Sequence, residues 1–112
     1  MSKTWDNIKR LIVNGDIRIS EHGYDELAAD DLTVREIVEG SPDGTVIEEY
    51  PEYPKGPCIL TMLKDREGRP IHAVWGIPHG LTSPVVLVTA YRPDPDRWTD
   101  GFRRRKKGER NE

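Results

Sequence analysis

Four stretches rich in β-forming residues follow one another in the second half of the chain, and they constrain the possible fold more than any other feature. They read GTVIEEY, PCILTML, RPIHAVWGI and PVVLVTAY, and occupy residues 44–50, 57–63, 69–77 and 84–91. Short links rich in turn-forming residues, such as DREG, separate most of them. Strands that follow each other in this way usually pair as antiparallel neighbours, so we predict a four-stranded, mostly antiparallel sheet.

The residues before these strands show helical patterns instead. In KTWDNIKRLIVN, residues 3–14, the apolar positions fall on one helical face, and Gly15 ends the stretch. Ser20 is a suitable N-cap for a second helix over residues 21–31. The residues of that helix that we predict to face inward are Tyr24, Leu27 and Ala28.

A third helix is indicated by its own start and stop signals. Thr33 and Glu36 have the spacing of a capping box, and Gly40 ends the helix. Helices first and strands afterwards indicate an α+β fold with two to three N-terminal helices packed on one face of the sheet. We expect a single domain over residues 1–98 and a flexible basic tail over residues 99–112.

Cysteine content and hydropathy bear on where the protein resides. The 112-residue chain contains one cysteine, Cys58, so no disulfide can form within it. The first ten residues, MSKTWDNIKR, do not have the apolar centre of a secretion signal. No apolar run approaches the roughly 20 residues that span a bilayer. We therefore expect a cytoplasmic protein that does not enter a membrane.

Charge is distributed unevenly along the chain. The net charge is −3, but residues 97–112 carry seven basic and three acidic residues, while residues 1–96 carry ten basic and seventeen acidic residues. The basic tail can contact a phosphate backbone, or it can be a solvated end that docks on the acidic body. We favour the solvated end, since short terminal basic runs are common.

Side-chain alternation places several polar residues together on the sheet. On the fourth strand, strict alternation puts Leu87 on the same face as Thr89 and Tyr91. If the helices cover one face of the sheet, the other face must tolerate polar residues. We expect that face to gather some of Glu48, His72, Thr89 and Tyr91. The sequence leaves open whether it meets solvent or a cleft beside the helices.

Three short motifs in a fixed order resemble a bacterial family of domains of unknown function. The family reads as a helix-borne Ser-x-His, then Gly-Arg-Pro-hydrophobic-His, then Thr-x-Tyr-x-Pro. Here the motifs are Ser20 and His22, then Gly68 to His72, then Thr89, Tyr91 and Pro93. The resemblance extends over about residues 17–98.

That family is similar to the RelE-like and BrnT-like toxins in size and in the order of its helices and strands. These toxins belong to a wider group of small, metal-independent ribonucleases. The resemblance therefore implies a RelE-like fold and the toxin component of a type II toxin–antitoxin system, acting as an endoribonuclease of the mRNA-interferase kind. It also implies a small antitoxin-like protein partner, with a zinc-finger protein like that of the MqsR/MqsA pair as one candidate.

The implied reaction is attack of the RNA 2′-hydroxyl on the adjacent phosphorus, which needs a base, an acid and positive charge. Histidine serves as base or acid near neutral pH, so His22 is the first catalytic candidate and His72 the second. The hydroxyls of Thr89 and Tyr91 are further catalytic candidates. The candidates for binding the substrate are Arg92 and Arg69. The histidines do not have the spacing of a metal site, and we expect no metal and no cofactor.

One feature opposes the nuclease interpretation. Glu48, Glu49 and Glu52 make the first strand and its loop acidic, although an RNA-binding surface should attract phosphates. The alternative is a non-catalytic binding module of the same fold. It would hold a protein partner through its sheet edge or through the Pro/Tyr-rich loop YPEYPKGP, residues 50–57.

Overall fold

The computed structural model describes residues 3–106, which form helices, a five-stranded sheet and a separate two-stranded sheet. The helices are α1 (Lys3–Val13), α2 (Glu21–Ala29) and α3 (Val34–Gly40), and a 3-10 turn covers Ser41–Asp43. The strands are β1 (Ile17–Ile19), β2 (Thr45–Tyr50), β3 (Cys58–Lys64), β4 (Pro70–Gly76), β5 (Val85–Tyr91), β6 (Trp98–Thr99) and β7 (Arg104–Arg105). The mixed α+β class is confirmed.

The large sheet differs from the prediction in strand number and direction. Its order is β1-β5-β4-β3-β2, in which β2 to β5 are antiparallel neighbours and β1 runs parallel to β5. The sheet is therefore five-stranded and mixed, not four-stranded. We did not predict β1, because the alternation of Ile17, Arg18 and Ile19 is too short to indicate a strand by itself and its partner strand lies far along the chain.

The local signals at the ends of α1 and α3 are confirmed. Gly15 follows α1 with a φ of 78°, a left-handed conformation that suits glycine. The Thr33 hydroxyl accepts a hydrogen bond from the Glu36 amide, and the Glu36 carboxylate accepts one from the Thr33 amide. The residues of α1 buried against the sheet are Trp5, Ile8, Leu11 and Ile12.

Helix α2 begins at the predicted cap but faces a different way. Ser20 caps it by accepting a hydrogen bond from the Gly23 amide. Tyr24 is 58% exposed and Ala28 is also exposed, so the prediction that both face inward is wrong. Gly23 is buried instead, and the β5 backbone lies close against it: a Cβ added to Gly23 would be 2.9 Å from the Leu87 carbonyl oxygen. A helix can approach a strand backbone this closely only where no side chain intervenes.

A β-bulge in β5 changes which residues share a face. Trp75 pairs with Leu87 and Val74 pairs with Thr89, so Val88 is an extra residue in β5. Leu87 therefore points into the core beneath the helices, whereas Thr89 points to the opposite face. Strict alternation placed these two residues on the same face, and the bulge overturns that expectation. The sheet residues of the main core include Ile59, Leu63, Ile71, Ala73, Trp75 and Leu87.

The face of the sheet that the helices leave open is partly covered by β6 and β7. Trp98 of β6 pairs with Arg105 of β7, and the Trp98 side chain is 6% exposed. Residues 99–106, which the sequence placed in a flexible tail, are thus folded against the domain, because Trp98 and Phe102 contact the sheet. The rest of the predicted tail, residues 107–112, lies outside the described residues. Within residues 3–106 the helices are too short or too polar to span a bilayer.

Candidate functional site

The open face of the sheet gathers the polar residues that the sequence placed there. His72 of β4 lies directly opposite Tyr91 of β5, and Val74 lies opposite Thr89. The same row continues through β3 into β2, because Leu60 of β3 lies opposite Val74 and Glu48 of β2 lies opposite Leu60. Residues directly opposite each other in a sheet share a face, so the predicted gathering is observed.

His72 is completely buried under the C-terminal strands. Its Nε2 lies 2.8 Å from the carbonyl oxygen of Phe102, and its Nδ1 lies 3.3 Å from the Tyr91 hydroxyl. The Trp98 ring meets the imidazole edge to face, with ring centres 4.4 Å apart. A carbonyl oxygen can only accept a hydrogen bond, so Nε2 carries the proton. In the neutral ring, Nδ1 then accepts a hydrogen bond from Tyr91.

Burial lowers the pKa of His72 below its ordinary value of 6.5. The hydrogen bond to the Phe102 carbonyl opposes this shift, because it favours the charged ring, but burial outweighs it. The positive charge of Arg105 lowers the pKa further. The imidazole is therefore neutral at pH 7. Burial likewise raises the pKa of the Tyr91 hydroxyl, which keeps its proton.

Glu48 and Arg105 form an ion pair beside the buried histidine. Nε and Nη2 of Arg105 lie 2.9 Å and 3.0 Å from the two carboxylate oxygens of Glu48. The Tyr50 hydroxyl donates a hydrogen bond to the same carboxylate. Burial raises the pKa of Glu48, but the hydrogen bonds from Arg105 and Tyr50 outweigh it and hold the pKa below its usual range.

Trp98 connects the ion pair to the histidine. The Arg105 guanidinium lies over the Trp98 ring, 4.8 Å from its centre, and the same ring also contacts His72. The connected residues are Glu48, Tyr50, His72, Tyr91, Trp98 and Arg105, and we call them the outer-face cluster. The Arg105 side chain is 60% exposed and that of Glu48 is 24% exposed, so a solute can reach this end of the cluster.

The two predicted substrate-binding arginines meet at a carboxylate outside the outer-face cluster. Arg92 Nη1 and Arg69 Nε lie 2.9 Å and 3.2 Å from the same oxygen of Asp65, whose side chain is 3% exposed. Desolvation raises the pKa of Asp65, but the backbone amides of Arg69 and Glu67 and the Arg92 guanidinium outweigh it and lower the pKa to about 2. Arg69 also pairs with Glu67, whose carboxylate oxygen lies 2.8 Å from its Nη2. Both arginines therefore already have a carboxylate partner within the fold, which assigns each of them a structural contact.

The remaining predicted residues do not join the outer-face cluster. His22 lies in the exposed first turn of α2, and its side chain makes no hydrogen bond or ion pair with any residue between 3 and 106. The ring contacts and hydrogen bonds of His72 do not include it. The Thr89 hydroxyl oxygen is buried and has no hydrogen-bond partner among the described residues. In that same part of the chain, no three His, Cys, Asp or Glu side chains are placed to hold a metal ion.

Sequence reasoning missed three members of the outer-face cluster. Tyr50 was detectable in principle, because it stands two residues after Glu48 on an alternating strand. Arg105 was hidden by the basic composition around it, which resembles a solvated end. Only Trp98, a large apolar residue close to that run, signalled that the segment packs on the domain.

These features define the class of protein: a small α+β domain with helices on one face of a mixed sheet and a polar cluster under a C-terminal hairpin on the other. The chain belongs to the family described as Domain of unknown function (DUF4258), whose model matches residues 19–92. That range contains His22 and His72 but ends before Trp98 and Arg105. Neither the curated proteins nor the solved structures gave a match to the chain.

Proposed function

We propose that this chain is a metal-independent endoribonuclease with a RelE-like fold, the toxin component of a type II toxin–antitoxin pair. One observation carries the proposal: a carboxylate, two phenolic hydroxyls, an imidazole and a guanidinium converge in the outer-face cluster. Cleavage of RNA by its own 2′-hydroxyl needs a base, an acid and positive charge at the phosphate. The outer-face cluster contains a candidate for each.

Glu48 is the candidate base in this proposal. Its carboxylate accepts the proton of the 2′-hydroxyl while the 2′-oxygen bonds to phosphorus and the bond from phosphorus to the 5′-oxygen breaks. A tyrosine hydroxyl, from Tyr50 or Tyr91, donates a proton to the departing 5′-oxygen. Arg105 stabilises the negative charge that develops on the phosphoryl oxygens, since a guanidinium suits bidentate contact with a phosphate.

The buried His72 takes part through Tyr91. Nδ1 of His72 accepts a hydrogen bond from the Tyr91 hydroxyl and so holds the phenol in place. When Tyr91 gives its proton to the 5′-oxygen, that proton leaves the hydrogen bond to His72, and solvent then reprotonates the phenolate. Tyr91 is only half-buried, so it is the member of this pair that a substrate can touch. His22 and Thr89 remain predictions as catalytic residues, and no contact in the structure supports them. The same holds for RNA contacts by Arg69 and Arg92.

The partners in this proposal follow from the sequence. RNA is the substrate, and a small antitoxin-like protein, with a zinc-finger protein as one candidate, is the regulator. We place the pair in the cytoplasm. Arg103 and Lys106, close to Arg105 in the chain, are exposed and supply positive charge that the acidic body does not.

A second function is favoured by the burial of His72. An imidazole with no exposed surface, held between Phe102 and Trp98, resembles a structural residue that anchors the hairpin. On that interpretation the chain is a non-catalytic module that holds a protein partner, and the outer-face cluster serves stability alone.

Cleavage of single-stranded RNA by the purified full chain in the presence of a chelator separates the two functions. We expect 2′,3′-cyclic phosphate products, and we expect Glu48→Gln to lower the rate by about 10²- to 10⁴-fold, the usual contribution of a catalytic base. Glu52→Gln, which removes an exposed carboxylate from the neighbouring loop, is the matched control. Folded wild-type protein that cleaves no RNA and does not arrest growth on expression would shift the assignment to the binding module.

A further inference from the structure

The proposed base is not free in the structure. Both carboxylate oxygens of Glu48 accept hydrogen bonds from Arg105, and Tyr50 donates to one of them as well. A carboxylate in this arrangement is a weak proton acceptor, because its negative charge is already compensated. The activity proposed above therefore requires that something first separate Arg105 from Glu48.

We infer that the ion pair between Arg105 and Glu48 is a latch that an oxyanion opens: a phosphodiester of RNA binds the Arg105 guanidinium and releases the Glu48 carboxylate. The inference rests on the proposed function for its substrate. It adds that binding of the phosphate and activation of the base are one event. It also assigns the phosphate-binding role to a residue outside the part of the chain that the family model matches.

Two contacts make Arg105 suited to this exchange. Glu48 engages only Nε and Nη2, which leaves further N–H donors of the five on a guanidinium for a second anion. The same guanidinium also lies over the Trp98 ring, with its carbon atom 4.8 Å from the ring centre, and this contact does not involve Glu48. Arg105 can thus keep its contact with Trp98 while a phosphate replaces Glu48 as its hydrogen-bond partner.

Accessibility also favours the exchange. The Arg105 side chain is 60% exposed and Glu48 is 24% exposed, so an anion reaches the guanidinium from solvent without unfolding the hairpin. An ion pair with one exposed partner is weak, and salt screens it. A phosphate, which accepts hydrogen bonds in the same bidentate geometry as a carboxylate, competes on similar terms.

The test is a titration of the ¹⁵N-labelled full chain with inorganic phosphate, following the Nε–H signal of Arg105 by NMR. If Glu48 competes with phosphate, Glu48→Gln should bind phosphate about two- to fivefold more tightly than wild type, which corresponds to the loss of one exposed ion pair. Arg105→Gln should abolish the phosphate-dependent shifts around Trp98. Arg104→Gln, which removes the same charge from the neighbouring residue, is the matched control and should bind as wild type does.

Three results would overturn the inference: Glu48→Gln binding phosphate more weakly than wild type, no phosphate-dependent shift of Arg105 in either protein, or equal losses in Arg104→Gln and Arg105→Gln. A dinucleotide with a 2′-deoxy sugar, which cannot be cleaved, repeats the titration with a phosphodiester and must give the same order of affinities. Tighter binding by Glu48→Gln without RNA cleavage by wild type would retain the latch and refute the nuclease. Cleavage by wild type with weaker binding by Glu48→Gln would do the reverse.

Discussion

His72 of β4 donates a hydrogen bond through Nε2 to the main-chain oxygen of Phe102, 2.8 Å away in the turn between β6 and β7. This bond ties the C-terminal hairpin to the centre of the sheet. It also sets the tautomer of the imidazole, so that Nδ1 is left to accept from Tyr91. One buried side chain thus joins the sheet, the hairpin and the half-buried hydroxyl of Tyr91.

The stability of the fold should fall as the pH drops below about 6.5. The pKa of His72 is lowered in the folded protein, so below pH 6.5 the unfolded chain binds a proton that the folded chain does not. Stability from this residue is therefore fully present above pH 6.5 and is lost as the pH falls towards the folded pKa. Urea unfolding at pH 7.5 and pH 5.5 measures the loss. In His72→Gln the difference between the two pH values should shrink, and an unchanged difference would contradict the assignment.

Truncating Trp98 should loosen the hairpin. Trp98→Ala removes a large side chain that is 6% exposed, and we expect a loss of about 3 kcal/mol in the free energy of unfolding. The pKa of His72 should rise towards its ordinary value at the same time, because the ring that buries it is gone. Chemical denaturation and an NMR titration of the His72 ring report the two effects. Trp98→Phe, which keeps an aromatic ring, is the milder variant; a loss below about 1 kcal/mol in Trp98→Ala would show that the hairpin is not anchored there.

The Glu48–Arg105 pair should contribute modestly to stability and depend on salt. A double-mutant cycle with Glu48→Gln and Arg105→Gln should give a coupling free energy of about 1 kcal/mol or less, since the pair is partly exposed. In 1 M NaCl, where the Debye length is about 3 Å, the coupling should fall to a small fraction of that value. A coupling that salt leaves unchanged would mean that the pair is shielded from solvent, which is incompatible with the exchange inferred above.

His22 and Tyr91 should differ in their effect on RNA cleavage. His22→Ala should leave the rate within about twofold of wild type, because its ring touches no member of the outer-face cluster, whereas Tyr91→Phe should lower the rate by about tenfold or more. Both variants should fold as wild type does, which circular dichroism and thermal unfolding check. A large loss of rate in His22→Ala would restore the site predicted from the sequence motifs.

Local patterns in the sequence were sufficient for the fold class and for most of the elements. The alternation of period two in β2 to β5, the helical stripe of α1 and the capping box of α3 are set by neighbours a few residues apart, so they can be recognised in the sequence itself. The shared face of His72 and Tyr91 was predictable for the same reason. The prediction that Leu87 and Thr89 share a face was wrong, because the bulge at Val88 interrupts the alternation and the residue types there do not indicate a bulge.

The rest depends on contacts between residues far apart in the chain. Residues 17–19 form strand β1 because they pair with the edge of β5. Gly23 is buried because the β5 backbone packs closely against it. The outer-face cluster is of the same kind: Glu48 and Arg105 are 57 residues apart, and Arg105 lies in a basic run that composition alone assigns to solvent. No local sequence pattern predicts that Trp98, close to this basic run, packs against the buried His72. Packing against the sheet turned a predicted tail into part of the candidate site.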